Sequence, residues 1–141
     1  MVDRPSAYVL DSFALLAYLE GEPGMAKVRA ALDGAAAGRD RVYLSLISLG
    51  EVLYVVERER GLIEAQQTLA VVDQLPLELL PLTRATVLAA AHVKARFPLA
   101  YADSFVVIAA RERAAIVMTG DLEFEPVAEA GLIAVEWLSR R

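Results

Sequence analysis

Four acidic residues interrupt or follow stretches that are otherwise apolar: Asp11, Glu51, Asp103 and Asp121. Asp103 stands out among them, because apolar residues follow it almost without a break as far as Ala110. A helix of this composition is packed on most of its sides, so a charge at its start is either a helix cap or a ligand. We predict that the four carboxylates come together and hold divalent metal ions.

Apolar runs of strand length alternate with segments at helical spacing along the chain. Strands are predicted at residues 7–10, 41–46, 77–80, 115–119 and 133–137. Helices are predicted at residues 13–19, 25–32, 48–60, 62–72 and 83–97, with a further helix headed by residue 103. This alternation is typical of a parallel sheet covered on both faces. We therefore expect a three-layer α/β/α fold with a five-stranded parallel sheet, in one domain spanning residues 1–141.

The expected fold brings the four acids to one edge of the sheet. Ligands of such sheets bind beyond the carboxyl ends of the strands, where the strand order reverses. Asp11 and Asp121 lie at the carboxyl ends of predicted strands. Glu51 lies in the first turn of the helix after the second strand, and Asp103 heads a helix packed on the same layer.

Helix capping explains each acid well when that acid is considered alone. Aspartate is a preferred N-cap residue, and residues 48–51 match the S-x-x-E capping box. The combination favours a metal site, because four carboxylates at one edge repel one another unless a cation lies between them. With no cysteine and one histidine in the chain, oxygen ligands select Mg²⁺ or Mn²⁺ over Zn²⁺. Such ions serve phosphoryl chemistry, which needs no protein nucleophile.

The composition limits the class of protein. A chain of 141 residues, 57% of them hydrophobic, can fill a single core and keep some apolar surface for a partner. Residues 1–5 lack signal-peptide features, and charges break every apolar run, so we expect a cytoplasmic protein without membrane contact. The formal net charge of −5 argues against a nucleic-acid partner, although two bound divalent cations would bring it to about −1.

Other catalytic motifs are missing. The sequence has no G-x-S-x-G elbow, so His92 is interpreted as structural, and it has neither a P-loop nor a G-x-G-x-x-G dinucleotide motif. Phosphatases with a strand-end nucleophile carry D-x-D, whereas Phe13 replaces the second acid here. Tyr8 on an inner strand and Trp137 on an outer strand are explained by core packing.

Four motifs carry a resemblance to a known family: Val9-Leu10-Asp11-Ser12, Leu49-Gly50-Glu51, Ala100-Tyr101-Ala102-Asp103-Ser104 and Thr119-Gly120-Asp121-Leu122-Glu123-Phe124. In order and approximate spacing they resemble the acidic motifs of the PIN domain, in particular of VapC-type toxins, over essentially the whole chain. The resemblance implies an Mg²⁺- or Mn²⁺-dependent endoribonuclease. It also implies that Asp11, Glu51, Asp103 and Asp121 are the catalytic, metal-binding quartet.

The resemblance also implies partners. VapC-type toxins are usually homodimers, neutralised by a small VapB-like antitoxin whose tail occupies a groove and often inserts an arginine among the acids. This would give the apolar surplus a use, with Leu16, Leu53 and Val56 as groove or core residues. Within the family, Ser12 and Thr119 match hydroxyl positions beside the metal, and capping or turn roles explain them equally well.

Further residues are secondary candidates. Glu123 or Glu125 could add a fifth acid at a second metal, although such residues are more often simply solvated. Four arginines are candidates for RNA contact, with a plain surface role as the simpler interpretation: Arg41, Arg58, Arg84 and Arg96.

Two other functions stay open at the level of sequence. A PIN-type nuclease of RNA processing or DNA metabolism would lack a neighbouring reading frame for a small DNA-binding protein. A catalytically idle module that binds a partner protein would take up no Mn²⁺ even with the four acids intact.

Overall fold

Five parallel strands form the middle layer of the protein, whose computed structural model describes residues 6–138. They are β1 (Ala7–Leu10), β2 (Arg41–Ser45), β3 (Glu78–Leu80), β4 (Ile116–Thr119) and β5 (Ala134–Trp137). The strand order is β3-β2-β1-β4-β5, and every neighbouring pair is parallel. The predicted five-stranded parallel sheet is confirmed. The N-terminal features expected of residues 1–5 lie outside the described residues.

Helices cover both faces of this sheet and complete the predicted α/β/α layers. One face carries α1 (Ser12–Glu20), α2 (Met25–Ala36), α3 (Leu46–Arg60) and α4 (Leu62–Asp73). The other face carries α5 (Arg84–Arg96), α6 (Tyr101–Arg113) and α7 (Glu125–Glu129). The sequence pattern missed α7 and the 3₁₀ turn before it, Leu122–Phe124, because these elements are too short to show helical periodicity.

The central strands are buried on both sides. Val9 and Val117 point into the core under α5, α6 and α7, whereas Leu10 and Met118 point into the core under α1 to α4. Residues one apart on a strand face opposite sides, so a strand covered on both faces must be apolar throughout. Tyr8 lies on the inner strand β1 and Trp137 on the edge strand β5, as predicted, and both pack against the cores.

The sheet changes direction of growth at β1. The chain adds β2 and β3 on one side of β1 and then returns to place β4 and β5 on the other side. The carboxyl ends of β1 and β4 are therefore neighbours at the position where open α/β sheets bind ligands. Within residues 6–138, no helix combines the length and the apolar character needed to cross a membrane.

Candidate active site

Asp11 occupies the junction between β1 and α1 and is 1% exposed. It is the N-cap of α1, where its Oδ1 accepts a hydrogen bond from the Ala14 backbone N–H at 2.8 Å. Its other carboxylate oxygen, Oδ2, accepts a hydrogen bond from the Thr119 hydroxyl. The capping interpretation is thus correct for Asp11, and the same side chain also belongs to the edge of the sheet where β4 ends.

Thr119 links the two central strand ends. Its side chain is fully buried at the end of β4, where the hydroxyl donates to Asp11. The same oxygen accepts the backbone N–H of Asp121 at 2.9 Å. One hydroxyl therefore sets the position of two of the predicted site residues.

Asp121 and Glu123 connect the end of β4 to the start of α6. Asp121 caps the 3₁₀ turn by accepting the backbone N–H of Glu123 at 2.9 Å. The carboxylate of Glu123 accepts the backbone N–H of Ala100, the N-cap residue of α6, at 3.3 Å. Glu123, predicted as a secondary residue, thereby lies against the helix that carries Asp103. Glu125 is exposed at the start of α7.

Asp103 does not head α6, contrary to the sequence interpretation. Ala100 is the N-cap, and Asp103 is the third residue of the helix, 6% exposed. Within residues 6–138, the Asp103 carboxylate forms no hydrogen bond. Capping therefore does not account for this buried acid.

Glu51 also lacks the capping role that the sequence suggested. The helix α3 begins at Leu46, two residues earlier than predicted, so Ser48 is inside the helix and buried, and Glu51 lies in the second turn. The predicted capping box does not form. The Oε1 atom of Glu51 is buried and has no hydrogen-bond partner within the described part of the chain. A buried, unpaired carboxylate oxygen is costly unless a cation or another donor meets it.

Burial and the neighbouring acids shift the protonation of two of these carboxyl groups. The pKa of Asp103 is raised to about 8, mainly by burial and also by the negative charges of four neighbours: Asp11, Asp121, Glu51 and Glu123. The pKa of Asp11 is raised to about 7: burial is the largest cause, the charges of Asp121 and Glu51 act in the same direction, and its two hydrogen bonds act against them. The predicted acids therefore share one electrostatic environment.

Three of these carboxylates form the tightest group. Among the described residues, one ligand oxygen each from Asp103, Asp121 and Glu123 lies within 4.8 Å of the others. Asp11 and Glu51 are outside this group, although their charges reach Asp103. We call the full set of five carboxylates the acidic group: Asp11, Glu51, Asp103, Asp121 and Glu123. It offers only oxygen ligands, and one of these oxygens, Glu51 Oε1, is buried without a hydrogen-bond partner in the described part of the chain. Both features fit a hard divalent cation such as Mg²⁺ or Mn²⁺.

A close approach that the sequence did not predict lies between α1 and the segment that follows β4. Gly120 is buried between Thr119 and Asp121, and a Cβ atom placed on it would overlap the ring of Phe13, with the ring Cδ1 3.1 Å away. Only glycine fits here while Phe13 keeps its position. Ser12, the first residue of α1, is half-buried. The four candidate arginines are all exposed, and His92 is exposed on α5.

The groove residues separate in the structure. Leu16 and Val56 line an open groove between α1, α3 and α4, together with Leu19 and Val71. Val56 is also part of the core, and Leu53 is half-buried and packs against the same core. Leu16 is therefore a groove residue, and Val56 forms the floor of the groove.

Comparisons with known proteins agree with this architecture. The PIN domain family model matches residues 8–130. A chain of VapBC2 from Rickettsia felis, solved with a promoter DNA fragment, superposes with a TM-score of 0.74 at 15% identity, covering 94% of this chain and 99% of that one. A chain of DNA-bound VapBC from Salmonella typhimurium gives 0.69 at 23% identity, covering 93% and 97%.

A third solved structure, VapC20 from Mycobacterium tuberculosis, is described as a toxin that cleaves the sarcin–ricin loop. It superposes with a TM-score of 0.66 at 17% identity, covering 85% of this chain and 94% of that one. A search of the curated proteins finds no match to the sequence. The family model spans most of the chain, and the five-stranded parallel sheet between helix layers is the architecture that the resemblance implied. This chain belongs to the PIN domain family.

Proposed function

We propose that this protein is a metal-dependent endoribonuclease that hydrolyses phosphodiester bonds in RNA and acts as the toxin of a type II toxin–antitoxin pair. The observation that carries the proposal is the acidic group, in which the Asp103 and Glu51 side chains have no hydrogen-bond partner within residues 6–138. The fold likeness to chains of VapBC structures and to VapC20, a toxin that cleaves the sarcin–ricin loop, supports it.

We infer that Asp11, Glu51, Asp103 and Asp121 hold Mg²⁺ or Mn²⁺, with Glu123 as an additional ligand. When bound, the metal would lower the pKa of a water molecule and neutralise charge on the phosphate. The chain itself supplies the geometry. Thr119 and the start of α1 hold Asp11 in one orientation, and Asp121 is held by its bond to the Glu123 N–H. Thr119 is thus a positioning residue.

The same proposal includes a small VapB-like antitoxin and a homodimer. The groove between α1, α3 and α4 is floored by Val56 and flanked by Leu16, Leu19 and Val71. Beside it, the exposed face of α4 carries Leu62 and Ile63, which are 55% and 72% exposed. Apolar exposure of this extent on adjacent helices is typical of surfaces that bind another protein.

The nuclease activity is tested by incubating the purified protein with total RNA and mapping the new RNA ends. We expect cleavage with Mg²⁺ or Mn²⁺, none with a chelator, and none with Asp103→Asn under either condition. A substitution of exposed Glu125 by Gln is the matched control, because it removes one carboxylate outside the acidic group. Metal-independent cleavage, or full activity in Asp103→Asn, would contradict the proposal.

The toxin role needs a separate test. Expression of the protein in bacteria should stop growth, Asp103→Asn should not, and co-expression of a small protein encoded next to it should restore growth. RNA cleavage without any effect on growth would instead indicate a PIN nuclease of RNA processing. If the wild-type protein, with all its acids intact, failed to bind Mn²⁺ at millimolar concentration, this would indicate a partner-binding module.

A further inference from the structure

Helix α5 differs in charge from the rest of the chain. It contains Arg84, Lys94 and Arg96 and no acidic residue, within a protein of formal net charge −5. Lys94 and Arg96, in its last turn, are exposed, and neither forms an ion pair with any residue that the structure describes. Two free cations on an acidic protein are suited to binding an anion.

A short connection joins this basic turn to the helix that carries Asp103. Four residues, 97–100, join α5 to α6, and the two helices pack against each other. The last of the four, Ala100, donates its N–H to Glu123, and Asp103 follows three residues later. The guanidinium carbon of Arg96 lies 5.3 Å from the centroid of the half-buried Phe97 ring, which restrains the arginine at this end of the helix.

An exposed aromatic ring completes the surface. Tyr101 is the first residue of α6 and is 45% exposed. Its ring meets the buried ring of Phe105 edge to face, with centroids 5.1 Å apart and an interplanar angle of 76°. Phe105 therefore holds Tyr101 in place while almost half of Tyr101 faces solvent, two residues from Asp103. Surfaces that bind single-stranded nucleic acid combine cations for the backbone with exposed aromatic rings on which bases stack.

We propose that Lys94, Arg96 and Tyr101 form a binding surface for single-stranded RNA that leads the strand to the acidic group. Lys94 and Arg96 contact backbone phosphates, and Tyr101 stacks on a base. The physical need is clear, because five neighbouring carboxylates repel a polyphosphate chain and nearby cations offset this repulsion. The inference rests on the proposed function, since it assigns the substrate path of that site.

The test measures binding of a fluorescein-labelled 12-nucleotide uridine RNA in EDTA, by anisotropy at several salt concentrations. Arg96→Ala should weaken binding about 3- to 10-fold and lower the slope of log affinity against log salt by about 0.7. Arg29→Ala is the matched control: it removes the same group, from an exposed arginine of α2 on the opposite face of the sheet. It should leave both values unchanged.

Tyr101 gives an independent readout. Tyr101→Ala should weaken binding about 5- to 100-fold without changing the salt slope, and Tyr101→Phe should retain wild-type affinity, because stacking needs the ring and not the hydroxyl. In cleavage assays with Mg²⁺, Arg96→Ala and Tyr101→Ala should raise KM while kcat stays near the wild-type value.

The outcomes separate this inference from the proposed function. Wild-type cleavage together with unchanged KM and affinity in Arg96→Ala and Tyr101→Ala would overturn the inference alone. Equal losses in Arg29→Ala and Arg96→Ala would overturn it as well, because binding would then follow net charge. RNA binding that depends on these residues, without any metal-dependent cleavage, would support the surface and contradict the proposed nuclease.

Discussion

Two buried aspartates at the same edge of the sheet differ in their hydrogen bonding to the surrounding protein. Asp11, between β1 and α1, is 1% exposed and accepts hydrogen bonds from Ala14 and Thr119. Asp103, in the first turn of α6, is 6% exposed and has no hydrogen-bond partner within residues 6–138. Burial raises the pKa of both, to about 7 and about 8. The hydrogen bonds of Asp11 thus offset part of the cost of burying its charge even without metal, whereas Asp103 has no such offset.

The difference indicates how the site is divided between structure and ligand binding. An acid that caps a helix gives back part of its burial cost through hydrogen bonds, while an unpaired one does not. The fold tolerates Asp103 because α6 is anchored by a continuous apolar run, from Phe105 to Ala110, that is buried. The helix thereby holds in place a buried carboxylate that a bound cation would compensate.

The comparison is tested most severely by removing each charge in turn. Asp103→Asn and Asp11→Asn should both lower metal-dependent RNA cleavage more than about 100-fold, which exceeds the usual effect of residues that only orient ligands. Cleavage rates with Mg²⁺ measure this, and circular dichroism checks the fold. If Asp11→Asn lost activity while Asp103→Asn kept it, Asp103 would have no ligand role.

The pH dependence of stability sharpens the same comparison. A carboxyl group whose pKa rises on folding binds more protons in the folded chain than in the unfolded chain. The stability of the fold therefore falls as the pH rises from the pKa of the unfolded chain to the pKa of the folded chain. For Asp11 and Asp103 these windows run from 3.8 to about 7 and to about 8. The metal-free protein should therefore become less stable by several kcal/mol as the pH rises from 4 to 8.

Urea denaturation in EDTA measures this loss across the pH range. Asp103→Asn should make stability depend less on pH and should stabilise the metal-free protein at pH 8. For the wild type at pH 8, replacing EDTA by Mn²⁺ should restore the stability that is lost between pH 4 and pH 8. Parallel curves for the wild type and Asp103→Asn would show that the Asp103 carboxyl does not titrate in this window.

Thr119 donates one of the two hydrogen bonds that distinguish Asp11 from Asp103. Thr119→Val keeps the shape of the side chain but removes the hydroxyl that donates to Asp11 and accepts the Asp121 N–H. We expect about a 10-fold loss of cleavage with weaker Mn²⁺ binding, since outer partners orient metal ligands. Thr119→Ser, which keeps the hydroxyl, is the control, and an equal loss in both variants would argue against this role.

The smallest expected effect separates capping from charge. Metal-free Asp11→Ala should be about 1 kcal/mol less stable than Asp11→Asn, because asparagine keeps an oxygen for the α1 N-cap. The same pair at position 103 should show no advantage for asparagine, since Asp103 caps nothing. Thermal denaturation in EDTA at pH 8 measures both differences, and a preference for asparagine at both positions would remove the distinction.

The sequence predicted the helix layers and the sheet well because the apolar runs are unambiguous. It placed Asp11 and Asp121 at strand ends, where the structure has them. It failed at helix starts: α3 begins before Ser48, and α6 begins before Asp103. Boundaries of buried helices are set by packing, and a capping motif inside such a helix has no effect.

The arrangement of the acids shows where local information ends. Parallel strands put their carboxyl ends at one edge, so strand-end acids are neighbours whatever the details of packing. Three features depend on contacts between distant segments: the closeness of Glu123 to Asp103, the fit of Phe13 against Gly120, and the lack of hydrogen-bond partners for Glu51 and Asp103 within residues 6–138. Thr119 and Asp11 are separated by 108 positions in the chain and meet through one hydrogen bond. Side-chain pairing of this kind is decided by how helices settle on the sheet, which only the tertiary structure defines.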